Sequence, residues 1–227
     1  GFRTGAGARD ALSEVASFGN LGLASLRGAF AQTSALASVA ELPASVTSLE
    51  SAFRESTANP AGLGAWDVAN VTSFDTMFTD APNIDPTVHG EDLAAWGAGG
   101  FASSATTNAM FLRASSFDSD VSGWNVRNVV DMRNMFNDAT SLTSDLTSWQ
   151  IDGIDNEGAL AGMLRNASGV TGDLTGWCVE AITTRPNLFS INSGISAQPY
   201  WGLPCGTTPP APSADDMVLT LTTTAPD

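Results

Sequence analysis

Asp145-Leu-Thr-Ser-Trp149-Gln-Ile151 repeats Asp120-Val-Ser-Gly-Trp124-Asn-Val126. Each copy begins with Asp and runs apolar-x-x-Trp-x-apolar. Between them lies Val129-Val-Asp-Met132-Arg-Asn-Met135-Phe136-Asn-Asp-Ala139, with apolar residues at offsets 0, 3, 7 and 10 from Val129. That spacing predicts an amphipathic helix. One unit therefore reads as a short strand followed by a short helix. Trp124 and Trp149 are 25 residues apart, the period of a leucine-rich repeat. A unit this small cannot bury its own apolar face, so neighbours must stack.

The strand pattern recurs as Leu63-Gly-Ala-Trp66-Asp-Val68, Leu93-Ala-Ala-Trp96-Gly-Ala98 and Leu174-Thr-Gly-Trp177-Cys-Val179. Successive Trp residues, from Trp66 to Trp177, are spaced 30, 28, 25 and 28 apart. The helical stripe recurs as Val71, Phe74, Phe78 and Ala81; as Val46, Leu49, Phe53 and Ser56; and as Leu23, Leu26, Phe30 and Thr33. The first two units lack Trp and use Leu12-Ser-Glu-Val15 and Leu36-Ala-Ser-Val39-Ala-Glu-Leu42-Pro43 instead. Two helices depart from the pattern. Ser104 and Thr107 take the first two apolar places of the fourth, and Glu157 takes the first place of the sixth.

These residues resemble a known family. Leu36 to Ser56, with Leu42-Pro43 and Ser45-Val-Thr-Ser-Leu-Glu-Ser-Ala-Phe53, is similar to the repeat of BspA-like leucine-rich-repeat surface proteins. Trp66-Asp-Val-Ala-Asn-Val-Thr-Ser-Phe74 to Met77-Phe78 resembles that family's Trp-Asp-Val-x-Asn-Val variant. Trp177-Cys178-Val179 to Trp201-Gly-Leu-Pro-Cys205 is similar to the closing segment of such arrays. The resemblance covers residues 10 to 206. It implies an extracellular adhesin and carries over no catalytic residues.

The expected fold is a right-handed leucine-rich-repeat solenoid of about six strand-helix units, residues 1–206, with a disulfide-closed C-terminal cap. Cys178 and Cys205 bracket its Pro/Gly/Asn-rich end. A disulfide there would stabilise by about 3.5 kcal/mol for its loop of about 27 residues, and the extracellular setting permits one. Residues 207–216 read as a Pro-rich linker. Residues 217–227 read as a strand that opens a following domain or pairs with a neighbour, outside the solenoid. The chain begins without Met and ends inside that strand, so we read it as a piece of a longer, processed chain.

Composition narrows the partners. Net charge is -15, and all nine basic residues are Arg. Asp (17) far outnumbers Glu (7). Nucleic-acid phosphates need clustered positive charge, so nucleic acid is not an expected partner. Nor is an anionic membrane surface, and no apolar run is long enough for membrane insertion. An acidic, Lys-free surface fits a salty exterior or a biased genome composition.

Catalytic chemistry has little to work with. The one His, His89, lies in the insertion Ile84-Asp-Pro-Thr-Val-His-Gly-Glu-Asp92. Asp85, His89, Glu91 and Asp92 form either a cation site or a solvated loop. Asp120, Asp145 and Asp173 recur at one place in consecutive units. They form either a calcium column, since calcium takes six to eight oxygens, or a ladder of turn caps. Asn70-Val-Thr and Asn166-Ala-Ser fit the N-glycosylation pattern, while Asn70 and Asn128 hold matching places before Val71 and Val129. The five Trp residues at the middle apolar place of each strand are core, or a row on which sugars stack. Core placement also holds for Phe30, Phe53, Phe78, Phe111 and Phe136, the third apolar place of each helix.

If the Trp side chains point inward, Asp67, Asn125 and Gln150 point out, with Arg127, Asp152 and Glu180 beside them. That sheet face is flat, small-residue and mildly polar, suited to another protein subunit or a surface glycan. The expected role is a non-catalytic extracellular binding or adhesion module of a larger surface protein at the cell surface. The alternative is a structural subunit of an extracellular filament or appendage.

Overall fold

The computed structural model describes residues 9–207. Its logic is visible in one repeat, Leu49 to Ser56. Ala52 N–H donates to the Leu49 carbonyl at 2.9 Å, and Ser56 N–H donates to the Phe53 carbonyl at 3.0 Å. These are two consecutive four-residue turns. Their third residues, Ser51 and Glu55, have φ of 57° and 59°, the left-handed backbone that lets a turn of this kind close. The remaining donors leave the repeat: Leu49, Ser51, Phe53 and Glu55 give their N–H groups to Ser73, Asp75, Met77 and Thr79 at 2.8–2.9 Å. The repeat is a flat rung, hydrogen-bonded to the next.

Seven such rungs follow one another among the described residues. Their paired left-handed positions are Gly28 and Gln32, Ser51 and Glu55, Thr76 and Asp80, Ala109 and Arg113, Asn134 and Asp138, Gly162 and Asn166, and Leu188 and Asn192. Each rung donates forward to the next. Phe30 bonds Ala52, Phe53 bonds Met77, Phe78 bonds Met110, Phe111 bonds Met135, Phe136 bonds Met163, and Leu164 bonds Phe189. Left-handed backbone at a non-Gly residue costs about 1–2 kcal/mol, and it persists here because bonds on both sides over-determine each turn.

The expected leucine-rich-repeat solenoid of strand-helix units is corrected by these turns. Among the described residues there is one α-helix, α1 (Ala94–Ala98), and three one-turn 3-10 helices, Leu63–Ala65, Pro86–His89 and Glu157–Leu160. The stripes expected to be helical are rungs, because two four-residue turns place apolar residues at the same offsets as a helix. Nor does a continuous parallel sheet line one face. The strands form three separate parallel pairs: β1 (Glu14–Val15) with β2 (Ser38–Val39), β3 (Ala105–Thr106) with β4 (Val129–Asp131), and β5 (Thr171–Asp173) with β6 (Gly194–Ala197). Single parallel bridges link Ser25, Ser48, Ser73 and Thr106.

The Trp segments expected to be strands are also tight turns. Trp66, Trp96, Trp124, Trp149 and Trp177 each donate backbone N–H to the carbonyl three residues back, at 2.9–3.1 Å. Their side chains are buried, at 2–3% exposure. Each indole N–H finds a carbonyl of the preceding unit: Ala40, Leu63, Leu93, Val121 and Leu146 in turn, at 2.9–3.0 Å. That satisfies the one polar atom of a buried Trp. The Phe column runs beside it, with centroids 5.0 Å apart for Phe30–Phe53, 5.4 Å for Phe53–Phe78, 5.3 Å for Phe78–Phe111 and 5.6 Å for Phe111–Phe136. Rungs approach closely where a side chain is missing: a Cβ on Gly153 would stand 2.5 Å from the Val129 carbonyl oxygen.

Candidate functional site

The turn at each Trp leaves an exposed ridge along one edge of the stack. Asp67, Asn125, Arg127, Gln150, Asp152 and Glu180 are all exposed there, with Ala65, Ala95, Gly123, Ser148 and Gly176 beside them. They lie on turns rather than on strands. The Asp67 and Asn125 side chains accept the N–H groups of Ala69 (3.0 Å) and Arg127 (3.3 Å). Arg127 pairs with Asp152 at 2.8 Å, an exposed ion pair of small energetic weight. Gly97 alone is buried in this column, because the Trp124 side chain occupies the space its Cβ would need. The ridge displays small and polar side chains along the stack.

The aspartate column works on its own backbone. Asp120, Asp145 and Asp173 are exposed and accept the N–H groups of Ser122, Thr147 and Thr175 at 2.8–2.9 Å. The Ser122 hydroxyl and then its N–H hold the Asp120 carboxyl below its ordinary range. The Thr147 N–H and then its hydroxyl do the same for Asp145, and the Thr175 hydroxyl and then its N–H for Asp173. The ladder has another member that the sequence reading missed: Asp92, four residues before Trp96, accepts the Ala94 N–H at 2.8 Å. Its place relative to Trp96 was the available signal. In the insertion, Asp85 caps Thr87 (3.1 Å), Glu91 accepts from Gly62 (2.6 Å) and Gly64 (3.0 Å), and His89 bonds the Asn59 carbonyl at 2.8 Å. Among the described residues, no three acidic, His or Cys side chains converge on a metal position.

The two glycosylation-pattern asparagines are engaged between rungs. Asn70 donates to the Ala44 carbonyl (3.1 Å), and Asn128 does the same to Phe101 (3.0 Å). Asn166 donates to Asp138 (2.7 Å) and accepts from Asn192 (2.9 Å). That chain belongs to a polar column at the second left-handed position of every rung, also missed in the sequence. Gln32 reaches Glu55 at 2.7 Å, and Arg113 binds Asp80 through both guanidinium edges. The Arg113 hydrogen bond lowers the Asp80 pKa. The signal was a polar residue directly before the last small residue of each stripe.

Cys178 and Cys205 form a disulfide that ties the last Trp turn to the segment behind it. An open cleft of about 900 Å³ lies at the other end, lined by Phe18, Leu23, Val39, Leu42 and Pro43, where no Trp fills the column. No helix among the described residues is long and apolar enough to cross a membrane. Most of the 207–216 linker and all of the 217–227 strand lie outside the described residues.

A family model described as Mycoplasma protein of unknown function, DUF285, matches residues 24–97 and again 87–200. The chain belongs to that family. The double match follows from the rungs, since one family pattern fits successive parts of a repeating chain. No curated protein and no solved structure matches the chain.

Proposed function

We propose that this DUF285 chain is a non-catalytic, extracellular binding or adhesion module of a larger surface protein, akin to the BspA-like proteins its repeats resemble. The observation that carries the reading is the pairing of a Cys178–Cys205 disulfide with a stiff ridge of exposed turns. Disulfides persist in oxidising compartments, above all outside the cell. The ridge offers small and polar side chains on a backbone held from both sides, so little order is lost on binding. The partner is another protein surface or a glycan.

The second reading, a subunit of an extracellular filament, draws on rungs that all stack in one direction. Two measurements test the pair. Sedimentation of the native material separates single chains from polymers. Binding of the purified chain to arrays of glycans and extracellular proteins should fall at least about tenfold in Gly123→Arg and Gly176→Arg, positions where an added Cβ meets nothing within 4 Å. Binding unchanged by both substitutions would overturn the ridge assignment. Hydrolysis of a glycan, abolished by an Asp→Asn change, would overturn the non-catalytic reading.

A further inference from the structure

Three of the chain's nine arginines meet at one small cleft on the first two rungs. Arg9, Arg27 and Arg54 line a space of about 260 Å³ together with Gln32, Glu55 and Gly28. The chain carries 24 acidic residues against those nine arginines, so three guanidinium groups against one carboxylate is a local reversal of its charge. The cations are held by the rungs themselves. Arg9 donates through Nη1 to the Gln32 amide oxygen, the Gln32 amide donates to Glu55 Oε2 at 2.7 Å, and Arg54 Nη2 pairs with Glu55 Oε1 at 3.1 Å. Both oxygens of Glu55 are thereby engaged. Arg27 Nη2 pairs with Glu50 at 2.9 Å, and Asp80, the next carboxylate of the column, is held by both edges of Arg113. Donors remain. Arg9 Nε is buried and has no acceptor, a costly state for a charged donor. Arg27 and Arg54 keep 58% and 51% of their side-chain surface exposed.

We propose that this cleft binds the carboxylate of an acidic sugar, a single uronic-acid unit at the end of a glycan. A guanidinium fork matches a carboxylate through two parallel hydrogen bonds. The space is smaller than the roughly 300–1,000 Å³ of a drug-sized ligand site, so it takes one ring. Gly28 and Ala31 leave room for that ring, and the Ser51 hydroxyl stands in the lining to meet a sugar hydroxyl. No aromatic and no large apolar side chain lines the cleft, which removes the anchors a protein partner uses. The net charge of -15 repels a long polyanion. At physiological salt, charges beyond about 8 Å are largely screened, so the local cations decide for a short ligand. The site is separate from the ridge. It is built on Gly28, Gln32, Ser51 and Glu55, the left-handed positions of the first two rungs, and not on the Trp turns.

Titration of the purified chain with methyl glucuronide, followed by calorimetry and amide NMR shifts, tests the proposal. Binding should saturate, with shifts at Gly28, Gln32 and Ser51, and methyl glucoside, the same ring without the carboxylate, should not bind. Arg27→Gln and Arg54→Gln should each weaken binding at least about tenfold. Both side chains are half exposed, and an unchanged urea midpoint checks that the variants fold. Absence of saturable binding to the unaltered chain would overturn the proposal. So would equal binding of the glucoside, or glucuronide binding unmoved by both substitutions. Acetate or sulfate bound as tightly as the glucuronide would assign the cleft to a free anion, and an Asp-rich peptide bound more tightly would assign it to a protein; either result overturns the sugar reading. Gly123→Arg and Gly176→Arg should leave this titration unchanged, so the cleft and the ridge stand or fall separately.

Discussion

Replacing Trp149 by Ala removes a buried indole from the Trp column. Its side chain is 2% exposed, lies 6.4 Å from the Trp124 ring and nearly parallel to it, and lies 6.2 Å from Phe136. A buried Trp removes about 200 Å² from water, worth about 5 kcal/mol at 25 cal/mol per Å² as an upper bound. Its N–H also donates to the Val121 carbonyl at 3.0 Å; that carbonyl keeps the Trp124 backbone N–H at 3.1 Å, so the lost bond itself is worth about 0.5–1.5 kcal/mol. Part of both losses is recovered as neighbours relax, so the expected cost is about 3–5 kcal/mol. Trp149→Phe separates the two contributions. It keeps a ring in the column and loses only the donor and part of the volume, so it should cost about 1–3 kcal/mol. Urea unfolding followed by circular dichroism gives both values. A loss below about 1 kcal/mol for the Ala variant would refute the argument that stacked rings hold adjacent units together. Equal losses for the two variants would show that the hydrogen bond, not the volume, dominates.

Gly153→Ala should destabilise by about 1–3 kcal/mol, measured the same way, since its Cβ would press on the Val129 and Arg127 carbonyls and move a rung. Cys178→Ser with Cys205→Ser should lower stability by about 3.5 kcal/mol on the loop-entropy argument, and a thiol titre near zero in unreduced protein checks that the bond forms. The lowered pKa values of Asp120, Asp145 and Asp173 mean that the unfolded chain binds protons first as pH falls. Their contribution is present above the ordinary Asp value of 3.8 and is lost as pH drops through the lowered folded values. Acid titration of stability should show this loss below about pH 4, and the triple Asn variant should weaken it.

How much of this was legible in the sequence depends on what each pattern constrains. Apolar spacing constrains burial, so Phe53, Phe78, Trp124 and Trp149 were placed in the core from their positions alone. It does not constrain where backbone N–H groups go. A helix at Val71 to Ala81 would send them four residues back along its own length. The chain sends those of Phe74, Thr76, Phe78 and Asp80 to the next rung instead. Offsets of 0, 3, 7 and 10 fit both arrangements, so periodicity could not separate them. Turn chemistry could have. Asn134, Asp138, Asp80, Asn166 and Asn192 sit at the left-handed positions, and Asn and Asp tolerate that backbone better than other side chains. Read against a helix they are weak formers on a solvent face, while read as turns they recur four residues apart in the fifth rung.

The same distinction governs the site. In a helical unit the backbone is satisfied within itself, and neighbouring units meet only through side chains. Here each rung is held by its successor: Asn134, Phe136 and Asp138 donate forward to Ala161, Met163 and Arg165, and the sixth rung repeats this onto the seventh. Among the described residues the forward bonds stop at Leu188 to Asn192. The disulfide lies at that end, joining the turn at Trp177 to Cys205. The ridge carrying Asn125, Gln150 and Asp152 lies over interior rungs, where bonds run in both directions. The exposed polar groups of the ridge are thus carried by rungs hydrogen-bonded on both sides, the arrangement on which the proposed binding role rests.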